Sequence, residues 1–216
     1  MNKNKIITII LSLIIVLGIV ITLTAGFNVD ILSKEHKEIQ LNLEKEFEAS
    51  DIKDIAKEVF EGQAVEIQKV EVYEEQVLIS TEEITDEQKS NLVTKINEKY
   101  QTEIKAEDVT VNTVPKIKLA DYITPHIFEF ILVTIVVAIY MCIRYKKLGF
   151  LKVLVQTILG LIIAESLAFS VLAITRIAVG NNLVVVMFVI YAVTLFALTN
   201  MFENKLQKMK LEETNK

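Results

Sequence analysis

The hydrophobic positions of this chain follow two patterns: long unbroken apolar runs, and one segment in which apolar and polar residues alternate. The unbroken runs occupy residues 6–25, 127–143, 153–174 and 183–202. Each meets or approaches the ~20 apolar residues with which a helix crosses the hydrocarbon core of a bilayer. The pattern therefore predicts four transmembrane helices, and it excludes a soluble globular protein.

The first apolar run also has features of a signal peptide, because lysines precede it and the small residues Thr24, Ala25 and Gly26 end it. Its length argues against cleavage, since the apolar region of a signal peptide usually spans only ~7–15 residues. We expect an uncleaved anchor over residues 1–26.

The segment between the first and second apolar runs contains both strand-like and helix-like patterns of hydrophobic residues. Period-two alternation is typical of half-buried strands, and apolar residues at i, i+3, i+4 and i+7 are typical of amphipathic helices. The strand pattern occurs at 39–43, 65–72, 77–79 and 109–114, with a turn expected at Glu74-Glu75 between the two middle strands. The helical pattern occurs at 52–60 and 92–100.

The ends of the two amphipathic helices also carry sequence signals. Ser50 is the expected N-cap of the first, and Gly62 is placed to end it. Thr85 and Gln88 form a capping-box pattern before the second. The resulting order, β-α-β-β-α-β, predicts a ferredoxin-like α+β domain over residues 27–126.

Charge separates this domain from the rest of the chain. Residues 27–126 contain 12 lysines and 23 acidic residues, a net charge of −11, whereas the remaining residues carry +6. Nucleic-acid binding requires a basic face, so we expect no nucleic-acid partner. An acidic surface is typical of a solvated face, and it also suits a cationic segment or a neighbouring subunit.

Basic residues predict the orientation in the membrane. Cytoplasmic loops are enriched in Lys and Arg, and the basic clusters at residues 3–5, 144–152 and 205–210 fall on one side if the four helices alternate. Both termini are therefore expected in the cytoplasm and residues 27–126 outside the cell membrane. A three-helix membrane bundle at 127–204 and a cytoplasmic tail at 205–216 complete the predicted organisation.

Motifs for catalysis or for cofactors are missing from the sequence. There is no glycine-rich phosphate loop and no GxSxG nucleophile elbow. Cys142 is the only cysteine, and His36 and His126 lie far apart near the predicted membrane boundaries. We expect neither enzyme activity nor a bound cofactor or metal.

One acidic residue lies deep in a predicted transmembrane helix. Glu165, followed by Ser166, falls near the middle of the third run, where an ionised carboxylate costs at least roughly 2.5 kcal/mol. Glu165 and Ser166 therefore form a candidate site for a structural hydrogen bond, a proton or a contact between subunits. Thr194 and Asn200, neutral polar residues of the fourth run, are weaker candidates.

Several short segments resemble those of the SecD/SecF protein-export membrane proteins, and the chain is most similar to SecF. Gly26–Ile31 resembles the family's motif after its first helix, and Asn112–Pro115 resembles the end of its external domain. Three further similar segments lie at the ends of the membrane helices: Arg144–Gly149, Asn181–Val186 and Met201–Asn204. Together they follow the family's order along essentially the whole chain.

The resemblance implies an accessory subunit of the Sec translocase that acts with a SecD-like partner, the Sec channel and the exported polypeptide within the lipid membrane. Family members usually have six membrane helices, whereas four are predicted here. The family's fourth-helix acid falls at Phe196-Ala197, and its third-helix pair falls at Glu165-Ser166. The resemblance therefore implies a reduced form that depends on its partner rather than coupling to protons by itself.

A second hypothesis makes the protein a membrane-anchored binding or assembly protein with no transport cycle. Its external domain would be an interaction module, and its helices would be the anchor. Four membrane helices exceed what anchoring requires, so the sequence favours the export subunit.

Overall fold

The computed structural model describes residues 3–70 and 73–214 of the 216-residue chain. Val29–Lys118 forms one compact unit, and the chain before and after it forms the other. In chain order the elements are α1 (Lys3–Ala25), β1 (His36–Asn42), α2 (Ala49–Val59), β2 (Val65–Val70), β3 (Tyr73–Thr81), α3 (Asp86–Tyr100), β4 (Val111–Val114), α4 (Leu119–Ile123), α5 (Ile127–Arg144), α6 (Phe150–Thr175) and α7 (Asn182–Thr214).

Four helical segments of the described chain are long and apolar enough to cross a membrane, as predicted, which indicates a membrane protein. The second of them starts earlier than expected, because α4 and a 3₁₀ turn at Thr124–His126 lead directly into α5. Pro125 occupies this turn, where its missing N–H and fixed φ interrupt the regular helix.

The fourth helix is longer than the hydrophobic run that predicts it. Its 33 residues extend about 50 Å at 1.5 Å per residue, whereas the hydrocarbon core is only ~30 Å thick. The predicted tail at 205–216 therefore continues α7 as helix up to Thr214, and residues 215 and 216 lie outside the described part. Residues 203–214 contain no glycine or proline to stop the helix.

Helix α6 is the centre of the all-helical unit, since it packs against α1, α5 and α7. Gly160 lies where α6 meets α7, and a methyl group added there would reach the side chain of Leu198 at 3.0 Å. Small residues at such positions let transmembrane helices approach closely.

The α+β unit contains a four-stranded antiparallel sheet with the strand order β2-β3-β1-β4. Ile39 and Leu41 of β1 face the same side of the sheet as Val77 and Ile79 of β3, because alternate residues of a strand share a face. These four side chains pack with the buried residues of α2 and α3, which are Ile52, Ala56, Leu92, Val93 and Ile96, and with Phe60 just after α2. The predicted apolar stripes of both helices are therefore confirmed as core.

Two local expectations are corrected. Helix α2 begins at Ala49 with Glu48 as its N-cap, so Ser50 lies within the helix; the Glu48 carbonyl already accepts the Asp51 N–H at 3.1 Å. The turn expected at Glu74-Glu75 is wrong, because both residues lie in β3. The Glu75 carbonyl accepts the Leu43 N–H at 2.8 Å, which extends the strand pairing through this point. Val72, assigned to the preceding strand, lies outside the described residues.

The capping box before α3 is confirmed. The Thr85 hydroxyl accepts the Gln88 N–H at 3.2 Å, and the Gln88 side chain accepts the Thr85 N–H at 3.0 Å. Two backbone donors that a helix start leaves open are thereby satisfied.

His36 is a buried residue of the α+β unit, and its expected place near a membrane boundary stays a prediction. It begins β1, is 2% exposed, and its Nε2 lies 3.0 Å from Glu38 Oε1. Glu38 also accepts a hydrogen bond from Ser80 Oγ at 3.5 Å. This face of the sheet therefore carries a polar network, opposite the apolar face that meets the helices.

Candidate intramembrane site

Helix α6 places Glu165 far from both of its ends. With 1.5 Å per residue, the residue lies about 22 Å from the start and 15 Å from the end of Phe150–Thr175. Both carboxyl oxygens are buried, and neither has a hydrogen-bond partner in the described structure. A buried polar group without a partner costs about 1–3 kcal/mol, so this carboxyl group calls for an explanation.

Glu165 and Ser166 line one apolar groove of about 510 Å³ between α4, α5, α6 and α7. We call this cavity the Glu165 groove. Apart from these two residues, its polar lining consists of Thr134 and Tyr191, and the remaining lining residues are apolar. The structure thus brings the two main predicted site residues into one cavity.

Thr134 and Tyr191 join the two helices that flank α6. Their hydroxyl oxygens are 3.0 Å apart, and Thr134 Oγ1 also lies 2.7 Å from the Phe130 carbonyl. Tyr191 is 8% exposed, and its hydroxyl is satisfied by this contact. The groove therefore contains a paired hydroxyl couple and an unpaired carboxyl group.

The weaker candidates of α7 do not line this groove. The Thr194 hydroxyl donates to the Ile190 carbonyl of its own helix at 2.7 Å, and Asn200 is exposed. Nine residues at 100° each place Asn200 on the face of the helix opposite Tyr191. Thr194 is three residues from Tyr191 and therefore about 60° away around the helix. Of these three polar residues of α7, only Tyr191 lines the groove.

A second, smaller cavity lies on the other side of Ser166. It measures about 340 Å³, and α1 and α6 line it. Beside it, Gly18 of α1 contacts Ser170 so closely that a methyl group on Gly18 would overlap the Cα, Cβ and Oγ of Ser170. Ser170 Oγ also donates to the Ser166 carbonyl at 2.7 Å. The contacts of Ser170 with Gly18 and with the Ile15 carbonyl at 3.4 Å hold α1 against α6.

A polar network joins the end of α5 to α7, and we call it the Arg144 network. The Arg144 guanidinium donates to the hydroxyls of Tyr140 at 2.9 Å and Tyr145 at 3.1 Å, and it lies 3.7 Å from the Glu203 carboxylate. The Tyr145 hydroxyl donates to Glu203 at 3.2 Å, and its ring packs against Phe202 with centroids 5.3 Å apart. Burial raises the pKa of Tyr145 above its ordinary value, which keeps this donor protonated.

Removing the Tyr145 hydroxyl tests the Arg144 network. We expect Tyr145→Phe to lower the free energy of unfolding by about 1–2 kcal/mol, because a buried bridge between Arg144 and Glu203 is lost. Tyr140→Phe is the matched control and should cost less than about 0.5 kcal/mol, since Tyr140 is exposed and contacts Arg144 alone. Denaturant titration of the purified protein measures both; equal losses would contradict a bridging role.

A second junction joins the end of α1 to the loop after α6. Asn28 Nδ2 donates to the Arg176 carbonyl at 2.8 Å, and the Val179 N–H donates to the Asn28 carbonyl at 2.9 Å. The Arg176 guanidinium donates to the Gly26 carbonyl. Arg176 itself adopts a left-handed backbone with φ 56°. The loop is therefore held by the backbone of the chain that leaves α1.

Sequence reasoning missed three residues of this region, namely Thr134, Gly18 and Ser170. Thr134 had a weak signal as the one serine or threonine within the second apolar run. Ser166 and Ser170 form a small-xxx-small pattern, which is typical of close helix contacts in membranes. Tyr191 is a further neutral polar residue of the fourth run, which its sequence pattern does not set apart from Thr194 and Asn200.

The groove chemistry is limited to one carboxyl group among hydroxyl and apolar groups. No group of three or more His, Cys, Asp or Glu residues that would suit a metal ion occurs in the described part of the chain. A lone buried carboxyl group can hold a proton, accept hydrogen bonds, or pair with a cation.

Comparison with known proteins adds no family assignment. No protein-family model matches the chain, and no curated protein matches it.

Proposed function

We propose that the chain is a SecF-like accessory subunit of the Sec protein-export translocase, acting with a SecD-like subunit and the Sec channel on the exported polypeptide. In this proposal the α+β unit is a ferredoxin-like domain outside the cell membrane, and both termini are cytoplasmic. The partner subunit, rather than this chain alone, supplies the coupling to the proton motive force.

The pairing of the family-like segments carries the proposal. Arg144–Gly149 and Met201–Asn204 meet in the Arg144 network, where Tyr145 bonds to Glu203 and packs on Phe202. The chain that leaves α1 meets the loop after α6, where Asn28 bonds to Arg176 just before Asn181–Val186. Three segments that resemble one family in sequence, Gly26–Ile31, Arg144–Gly149 and Met201–Asn204, thus take part in the contacts at the two ends of the same helix group, which supports a shared architecture.

The α+β unit supports the proposal through its strand order. In the order β2-β3-β1-β4, neighbouring strands are antiparallel. The parallel strands β1 and β2, joined through α2, are therefore separated by β3, and the parallel strands β3 and β4, joined through α3, are separated by β1. This is the split βαβ arrangement. The exposed end of the polar sheet face, which includes Gln40 and Asn42, is the surface that we propose for a partner domain or an emerging polypeptide.

Co-purification tests the proposal. A tagged, natively expressed chain is extracted in mild detergent, crosslinked, and its partners identified by mass spectrometry. We expect a SecD-like protein or Sec channel subunits. If the intact, abundant protein yields neither, the export proposal is wrong, and the membrane-anchored binding or assembly protein takes its place.

Glu165→Gln tests the carboxyl group within the same proposal. We expect membrane insertion to be preserved, because glutamine is a neutral side chain of similar shape, and the export of a reporter protein to fall. Glu129→Gln, an exposed acid of α5 paired with His126 at 2.9 Å, is the control and should leave export unchanged. Unchanged export in Glu165→Gln would remove Glu165 from the proposed mechanism.

A further inference from the structure

The Glu165 groove has the dimensions of a small-molecule site. Its volume of about 510 Å³ lies within the range of ~300–1,000 Å³ that is typical of ligand pockets. It extends along α6 from Ile158 to Phe169, which is about 16 Å at 1.5 Å per residue. This volume is of the size that drug-like organic molecules occupy.

The charged and polar groups that line the groove indicate which kind of ligand it would bind. Glu165 contributes a carboxyl group whose two oxygens have no partner, and the lining contains no Lys, Arg or His. Thr134 and Tyr191 already satisfy each other. The one unmet requirement in the groove is therefore for a positive charge or a hydrogen-bond donor beside Glu165.

The walls of the groove do not suit Ca²⁺ or Mg²⁺. Ca²⁺ and Mg²⁺ require six or more oxygen ligands, whereas this lining offers one carboxylate and three hydroxyl groups. The rings of Phe130, Phe169 and Tyr191 belong to the lining. Aromatic faces attract organic cations and bury their apolar substituents at the same time.

The rim of the groove faces the surroundings of the helices. Ile127, Ile131 and Ile162 line it and are each about half exposed. In a membrane these side chains meet lipid, so a ligand that partitions into the bilayer reaches Glu165 without crossing a polar surface.

We propose that the Glu165 groove binds hydrophobic organic cations that carry one positive charge on an aryl or alkyl body. The carboxylate of Glu165 neutralises the charge, and the apolar and aromatic walls hold the body. A transmembrane helix of a partner is ~10 Å wide, so it would lie across the groove and place only a side chain inside it. A whole helix is therefore not the proposed occupant. The site shares Glu165 with the proposed export mechanism, but cation binding to the purified chain is measured without export.

Equilibrium dialysis of the purified full chain with labelled tetraphenylphosphonium tests the site. We expect saturable binding with one cation per chain. Glu165→Gln should weaken binding about 10- to 100-fold, the effect of removing one charged partner, and Glu129→Gln should have no effect. Tetraphenylborate, which has the same shape and the opposite charge, should not compete.

A second pair of variants keeps the test valid if Glu165→Gln fails to fold. Ile162 and Ile163 are adjacent on α6 and similarly exposed, but only Ile162 lines the groove. Ile162→Trp should weaken tetraphenylphosphonium binding by filling the groove, and Ile163→Trp should not. No saturable binding, equal binding of tetraphenylborate, or equal effects of the two tryptophans would overturn the proposal.

Discussion

Gly18→Ala is expected to separate α1 from α6 and to destabilise their packing by about 3 kcal/mol, the upper end of the usual cost of overpacking. Of the residues of α1 whose burial is described, Gly18 is the only one that is buried. An added methyl group would overlap the backbone of Ser170 as well as its side chain. Since a backbone atom of a packed helix cannot rotate away, the whole helix α1 must shift.

Gly160→Ala is the matched control, because it is the same change inside a membrane helix. Its added methyl group meets the Leu198 side chain first, at 3.0 and 3.1 Å, and a leucine side chain can change its rotamer. We expect a change below about 1 kcal/mol.

The measurement uses cysteines at Thr22 and Phe169, which line the cavity between α1 and α6, in a Cys142→Ser background. Crosslinking by a short bifunctional maleimide is followed as SDS is added. The SDS concentration at half-maximal crosslinking gives the loss in stability. Equal midpoints for the two alanine variants would show that Gly18 does not hold α1 on α6.

Asn97→Ala is expected to lower the stability of the segment at the end of α3 by about 3 kcal/mol. Asn97 Nδ2 donates to the Ile104 carbonyl at 2.7 Å, and Asn97 Oδ1 accepts the Ile104 N–H at 3.0 Å and the Thr102 hydroxyl at 2.7 Å. A typical net value of about 1 kcal/mol for each hydrogen bond gives this sum. One amide side chain thus closes the turn that follows the helix.

Asn91→Ala is the control, since Asn91 is an exposed residue of the same helix. Hydrogen–deuterium exchange of the full chain measures both variants. We expect exchange at residues 100–104 to accelerate about 100-fold in Asn97→Ala, which corresponds to ~3 kcal/mol, and to change little in Asn91→Ala. Similar rates in the two variants would show that the side-chain hydrogen bonds of Asn97 do not stabilise the turn.

Local patterns were sufficient wherever neighbouring residues decide the structure. The capping box of Thr85 and Gln88 involves residues three apart, and the stripe of Leu92, Val93 and Ile96 repeats with the helix. The prediction failed at Glu74-Glu75, because pairing with a distant strand keeps β3 extended there. It also failed at Ser50, because the chain begins the helix at Ala49 without a side-chain cap.

The sequence by itself determined the four long apolar helices, the β-α-β-β-α-β order and the position of Glu165 far from both ends of its helix. Run length and residue spacing are local properties, and they can be read without knowing which elements touch. Only the tertiary structure decided which polar residues share the groove with Glu165. Thr134 and Tyr191 are 57 residues apart, and the rotation of α5 and α7 against α6 brings them to one cavity and directs Asn200 away from it. That rotation follows from close contacts between helices, such as the one between Gly160 of α6 and Leu198 of α7, whose partners no local pattern identifies.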